Sequence, residues 1–167
     1  MAPRLVLIGP MGAGKSTVGR ALAEALNCEF ADTDLLIEQD QGKSVSEIFI
    51  EDGEAHFRLV EESIVIDALR DEEGILSLGG GAITSELAQA ALKASPAKKI
   101  FLDISLTAVS PRVGFDTARP LLMVNPRQKW SELMSLRRPI YQELADVTID
   151  VSELSIPDVV SKVMASI

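Results

Sequence analysis

Short aliphatic runs alternate along this chain with longer stretches whose apolar residues recur at helical spacing. Leu5–Ile8 is continuous and non-alternating, as expected of a strand buried on both faces. A helix is predicted from Lys15 to Leu26, with Val18, Leu22 and Leu26 on one side. Glu29–Thr33 reads as a weaker second strand. Asp34 to about Gln41 reads as a helix stopped by Gly42, and Ser44-Val-Ser-Glu47 as a capping box opening another. Glu54–Leu69 is helical again. Ile75–Leu78 is a third strand running into Gly79, Gly80 and Gly81. Then come a helix over Thr84–Ala94, a fourth strand over Lys99–Asp103 and a helix over Leu106–Arg112. Gly114–Pro126 has two prolines and little periodicity, so it reads as a loop. Arg127–Leu144 is helical, with Pro139 placed to kink or divide it. Val147–Val151 is the fifth strand and Ile156–Met164 the last helix.

Strands alternating with helices predict an α/β fold, a parallel sheet covered on both faces. Ligands of such sheets bind beyond the carboxyl ends of the strands. Three features fall at such ends: the segment after the first strand, the pair Asp32 and Asp34, and the triple glycine.

The first is the strongest. Gly9-Pro-Met-Gly-Ala-Gly14-Lys15-Ser16-Thr17 matches the phosphate-binding loop G-x-x-x-x-G-K-[ST] at every fixed position, between a strand and a helix. Glycines let backbone N–H groups close around a phosphate chain, and the following helix directs its positive end at the same anion. Lys15 reaches the terminal phosphates, and the Ser16 hydroxyl is placed to hold Mg²⁺.

Asp32 and Asp34 stand two apart, which in a strand puts both carboxylates on one side. One carboxylate can then order a metal's water shell while the other orients an attacking hydroxyl or takes its proton. The plainer reading makes one of them a helix cap. Asp103, ending an apolar strand, competes with Asp32 for the metal-support role, and sequence physics leaves that contest open.

Gly79–Gly81 predicts a tight turn or a ligand lying against bare backbone, with the Gly80 and Gly81 N–H groups as donors. Arg58 is spaced to pair with Glu61 or Glu62, and spacing alone favours that reading. His56, the only histidine, is expected to be structural. Arg119 sits in the irregular stretch, where a mobile loop could bring positive charge over a transferring phosphoryl group. Arg137 could hold a carboxylate bidentately; its plain alternative is a surface pair with Glu132 or Glu143.

Composition narrows the class. The chain has 167 residues, enough for one domain with a real core, and is 47% hydrophobic but only 4% aromatic, so that core is aliphatic. No apolar run approaches the ~20 residues needed to cross a bilayer. Met1–Arg4 leads straight into the first strand, so no leader is expected. The lone Cys28 forms no internal disulfide and reads as a small core residue. These features predict a cytoplasmic protein with no membrane partner. The net charge of −9 argues against nucleic acid. Yet five arginines and Lys129 face only Asp116 and Glu132 between Arg112 and Arg138, a local excess that suits a small anionic ligand.

Taken together, these residues resemble the shikimate kinase family. The likeness covers Gly9–Thr17, Phe30-Ala-Asp32-Thr-Asp34, Phe57-Arg58 with Glu61, Gly79-Gly80-Gly81-Ala82, Arg119-Pro120-Leu121-Leu122, and Arg137 with Tyr141 four residues on. It implies a three-layer P-loop kinase fold like that of nucleoside-monophosphate kinases, with a five-stranded parallel sheet flanked by helices. It also implies a single domain over 1–167, a mobile lid at about 112–126 and a substrate-binding helical segment at about 34–62. The activity implied is transfer of the ATP γ-phosphate to the 3-hydroxyl of shikimate, on the chorismate route to aromatic amino acids, by a monomer using Mg²⁺. By resemblance, Asp34 contacts the reacting hydroxyl and Asp32 supports Mg²⁺ through water, together with Ser16. Arg58 and Arg137 hold the substrate carboxylate, and Gly80 and Gly81 approach the ring. Gly12, Ala13, Gly14, Lys15, Ser16 and Thr17 cradle the nucleotide, Arg119 closes over it, and Arg112 and Pro157 lie near adenine. Arg138, directly after Arg137, departs from the pattern of many relatives; the spacing to Tyr141 favours Arg137 as the ligand-facing residue. The rivals are another small-metabolite kinase of this fold, such as a gluconate kinase, and a non-catalytic nucleotide-binding module. A guanine-nucleotide switch would carry an N-K-x-D motif, which the chain lacks.

Overall fold

The computed structural model describes residues 2–113 and 125–167. Five parallel strands form one sheet: β1 (Leu5–Ile8), β2 (Phe30–Asp32), β3 (Ile75–Ser77), β4 (Lys98–Asp103) and β5 (Val147–Asp150), in the order β2-β3-β1-β4-β5. Every residue of β1 is buried, as its unbroken aliphatic run requires, and β1 pairs with β3 on one side and β4 on the other. The sheet core joins Val6, Leu7, Leu76, Ile100 and Phe101 to helix residues such as Val18, Leu22 and Val163.

The helices are α1 (Lys15–Leu26), α2 (Thr33–Gln41), α3 (Val45–Glu51), α4 (Glu54–Asp71), α5 (Glu86–Ala94), α6 (Leu106–Val113), α7 (Pro126–Leu144) and α8 (Ile156–Ala165). They flank the sheet: α1 packs on α8, while α5 packs on both α4 and α7. The stop signals behave as read. Gly42 ends α2 with φ +69°, and the Ser44 Oγ accepts the Glu47 N–H at 3.1 Å to open α3. Pro139 does not divide α7, which runs unbroken through it. The helix expected from Thr84 is in two pieces, a 3₁₀ turn over Ala82–Thr84 and then α5, because the Ser85 Oγ caps the new helix by accepting the Ala88 N–H. Cys28 is partly buried against the main core, as expected. His56 is exposed, with its Nε2 3.2 Å from the Gln41 Oε1.

A second, smaller apolar cluster stands apart from the sheet. Ile37 of α2, Ile48 of α3 and Phe57 of α4 bury one another, with Val45, Phe49, Val60 and Ile64 packed around them. This three-helix unit covers the segment expected to face the acceptor. Among the described residues, no helix is long and apolar enough to cross a membrane.

Candidate active site

The carboxyl ends of β1, β2 and β3 open into one cavity of about 660 Å³. The phosphate loop forms its floor at one end. Gly14 adopts φ +91° just before α1, a backbone that glycine takes at no steric cost. The Lys15 Nζ donates to the carbonyls of Gly9 and Pro10 at 2.8 and 2.9 Å, along the loop it must serve. Gly12, Gly14, Lys15, Ser16 and Thr17 line the cavity, whereas Ala13 is buried beneath them.

The aspartate pair differs from the sequence reading. Asp32 ends β2, but Asp34 already lies in the first turn of α2, so strand alternation does not align them. They are brought together by a cap: the Asp32 Oδ1 accepts the Asp34 N–H at 2.9 Å. The other oxygen of Asp32 accepts the Ser16 hydroxyl. The helix-cap reading therefore holds for Asp32, which uses one oxygen as the cap and turns the other to Ser16. Ser16 and Asp32 together present hard oxygen donors, the set Mg²⁺ takes. Asp103, the competitor, pairs instead with Arg138, Nη2 to Oδ1 at 3.1 Å.

Asp34 sits among negative neighbours. Burial, then the carboxylates of Asp32 and Glu61, push its pKa up to about 7, against the opposing pull of Lys15. It therefore titrates near neutrality, where a proton acceptor is most effective.

The triple glycine is explained by close approach of the protein's own charged side chains. A Cβ on Gly79 would lie 2.7 Å from the Asp34 Oδ1 and 3.1 Å from the Glu61 Oε2. A Cβ on Gly81 would lie 2.5 Å from the Arg58 Nη1. Neither ligand nor unusual dihedral is needed to account for these two positions; Gly81 has φ −95°.

Arg58 does pair with Glu61 (2.6 Å), as its spacing suggested, and it also lines the cavity. Glu61 is 3% exposed; burial raises its pKa, and Arg58 and Arg137 offset that. Arg137 is 7% exposed and is not among the cavity-lining residues; it lies near Arg58 and Glu61 and hydrogen-bonds Tyr141. The surface pairs considered for it do not form: Glu143 holds Lys93, and Glu132 accepts from Gln128. Burial lowers the Arg137 pKa, with Tyr141 and Glu61 opposing it. Arg138 points elsewhere, to Asp103.

At the nucleotide end, Arg112 lines the cavity and its Nη1 donates to the Gly12 carbonyl at 3.1 Å. Pro157 does not line it. Pro157 is exposed at the start of α8, and the neighbouring Ile156 turns inward, its Cδ1 near Gly14. Arg119 lies outside the described residues, as does most of the lid expected at about 112–126, residues 114–124.

Sequence reasoning missed Thr33. Fully buried between the two aspartates, it accepts the Gly79 N–H on its Oγ1 at 3.0 Å and so ties the end of β2 to the glycine turn. A hydroxyl residue flanked by two site carboxylates was the available signal. It also missed Glu38, which lines the cavity and accepts the Val45 N–H at 2.9 Å.

Comparison with known proteins gives a consistent result. The shikimate kinase family model matches residues 11–167. A shikimate kinase of Rhodococcus jostii (strain RHA1) is 46% identical over 168 residues, covering 100% of this chain and 99% of its own. The solved structure of shikimate kinase from Acinetobacter baumannii in complex with shikimate superposes with TM-score 0.93 at 36% identity, covering 99% of this chain and 92% of that one. A gluconokinase from Sinorhizobium meliloti 1021 superposes less closely, with TM-score 0.62 at 20% identity, covering 98% of this chain and 90% of that one; it shares the fold alone. With a family model spanning all but the first ten residues and a relative nearly half identical along both full lengths, this chain belongs to the shikimate kinase family.

Proposed function

We propose that this protein is an ATP-dependent phosphotransferase that converts shikimate to shikimate 3-phosphate, releasing ADP. The observation that carries the reading is that one cavity holds both the phosphate loop and the Asp34–Arg58–glycine wall, so donor and acceptor meet without leaving it. The acceptor hydroxyl oxygen attacks the γ-phosphorus in line as the bond to the β-phosphate oxygen breaks and ADP departs. Little covalent catalysis is required; positioning and electrostatics do most of it.

Each residue then has a role. The loop amides and Lys15 bind the phosphates, Lys15 exchanging its two carbonyl partners for phosphate oxygens. The Ser16 hydroxyl and the Asp32 carboxylate would hold Mg²⁺, which would neutralise phosphate charge. Asp34 aligns the reacting hydroxyl and takes its proton, a task suited to a carboxylate titrating at about 7. Arg58 and Arg137 attract the substrate carboxylate, Gly80 and Gly81 let the ring approach, and Arg119 adds positive charge over the transferred group. Arg112, with Ile156 in the place expected for Pro157, borders the base.

ADP release measured with shikimate, with gluconate and with no acceptor tests this. Turnover is expected with shikimate only. Equal turnover with gluconate, or none with shikimate, defeats the proposal.

A further inference from the structure

One face of α7 is buried at Trp130, Met134, Arg137 and Tyr141, a spacing of four, three and four that keeps them in a single stripe. Two of these residues grip backbone carbonyls of the two loops that meet in the cavity. The Trp130 indole N–H donates to the Met11 carbonyl, inside the phosphate loop, at 3.0 Å. The Tyr141 hydroxyl donates to the Gly80 carbonyl in the glycine turn. The two loops are near neighbours, since a Cβ on Gly80 would lie 3.4 Å from the Met11 nitrogen. Arg137 stands on the same stripe between the two donors and bonds Tyr141. Both bonds also answer a physical need: a phosphate loop turns its N–H groups inward, so its carbonyls need partners outside, and an indole N–H that is 4% exposed needs an acceptor.

We propose that Trp130 is a positioning residue for phosphoryl transfer. From the helix that also carries Arg137 and Tyr141, it holds the Met11 carbonyl and so fixes the separation between nucleotide cradle and acceptor pocket. It acts through the loop backbone and lines neither half of the cavity. In-line transfer is sensitive to such a separation, a misplacement of about 1 Å costing on the order of a hundredfold. The inference rests on the phosphate loop being the nucleotide site, as proposed above.

Trp130→Phe removes the N–H donor and keeps an aromatic ring. We expect kcat to fall about tenfold while the KM values for ATP and shikimate stay within about threefold, because each half remains intact and only their mutual setting loosens. A variant whose kcat stays within about twofold of the parent overturns the proposal, whatever happens to its melting temperature. The parent protein gives an independent measurement, since Trp130 is its only tryptophan. Titration with MgADP should shift or quench the Trp130 emission. Unchanged emission at concentrations where calorimetry shows MgADP bound overturns the proposal even if the variant fails to fold. Absence of calorimetric binding overturns the nucleotide assignment and this inference with it.

Discussion

The guanidinium of Arg58 packs directly on the Cα of Gly81, leaving no room for a side chain there. Gly81 has an ordinary φ of −95°, so alanine meets no backbone strain, and the nearest atoms it would strike are those of the Arg58 guanidinium. Gly81→Ala should leave the fold intact and push the guanidinium off its seat against Glu61. The expected result is a shikimate KM raised about tenfold or more, with the ATP KM little changed and a melting temperature near the parent's. Steady-state kinetics with each substrate varied in turn would check it.

Asp34 links activity to pH. Its pKa stands at about 7 in the folded protein, above the ordinary 3.8. kcat/KM for shikimate should therefore rise with pH through about 7 as the carboxyl ionises, and Asp34→Asn should lose that limb together with most of kcat. Stability runs the opposite way. A raised carboxyl pKa means that the folded state holds its proton more tightly, so this contribution is complete below about pH 4 and fades as pH climbs through 7. Asp34→Asn should thus be more stable than the parent at pH 8, by on the order of 1–3 kcal/mol, and the gap should close toward pH 4. Thermal melts of the two proteins across that range would decide.

The adjacent arginines offer a contrast. Arg137 is buried beside Glu61 and Tyr141, while Arg138 pairs with Asp103 at the end of β4. Arg137→Ala should raise the shikimate KM by roughly 10- to 150-fold, the worth of a charge-assisted bond of about 1.5–3 kcal/mol. Arg58→Ala should do the same. Arg138→Ala should leave that KM within about twofold. A larger effect from Arg138 than from Arg137 would reverse the assignment.

Asp32 caps α2 with one oxygen and meets Ser16 with the other. Asp32→Ala should cost about 1 kcal/mol through the lost cap and raise the Mg²⁺ concentration needed for half-maximal rate about tenfold. Asp103→Ala should leave the Mg²⁺ requirement unchanged. Melting curves and Mg²⁺ titrations of both variants separate the two aspartates.

Much of this architecture was legible in the residues. β1 and α1 fall where the aliphatic run and helical spacing placed them, since a wholly buried strand and a loop motif leave little room for alternatives. Spacing left Asp32 and Asp103 in contest and only the resemblance favoured Asp32, because which carboxylate meets Ser16 depends on sheet order, and β2 lies two strands away from β1. The Asp32–Asp34 relation was misread for a local reason: the strand stops one residue sooner, and a cap replaces the alternation. The glycine triplet signalled close contact, but only the fold reveals that Arg58, Asp34 and Glu61 make it. Ile156 rather than Pro157 faces the cavity because proline at the first turn of α8 points to solvent, a matter of helix rotation that no spacing fixes.

The cluster of Ile37, Ile48 and Phe57 gives α2, α3 and the start of α4 an apolar interior of their own. Those three side chains pack on one another rather than on the sheet, so a small change among them is felt first within these helices. α4 runs out of that cluster into the main core at Val65, Ala68 and Leu69, so a disturbance inside the three-helix unit has a direct route to the fold that carries the phosphate loop.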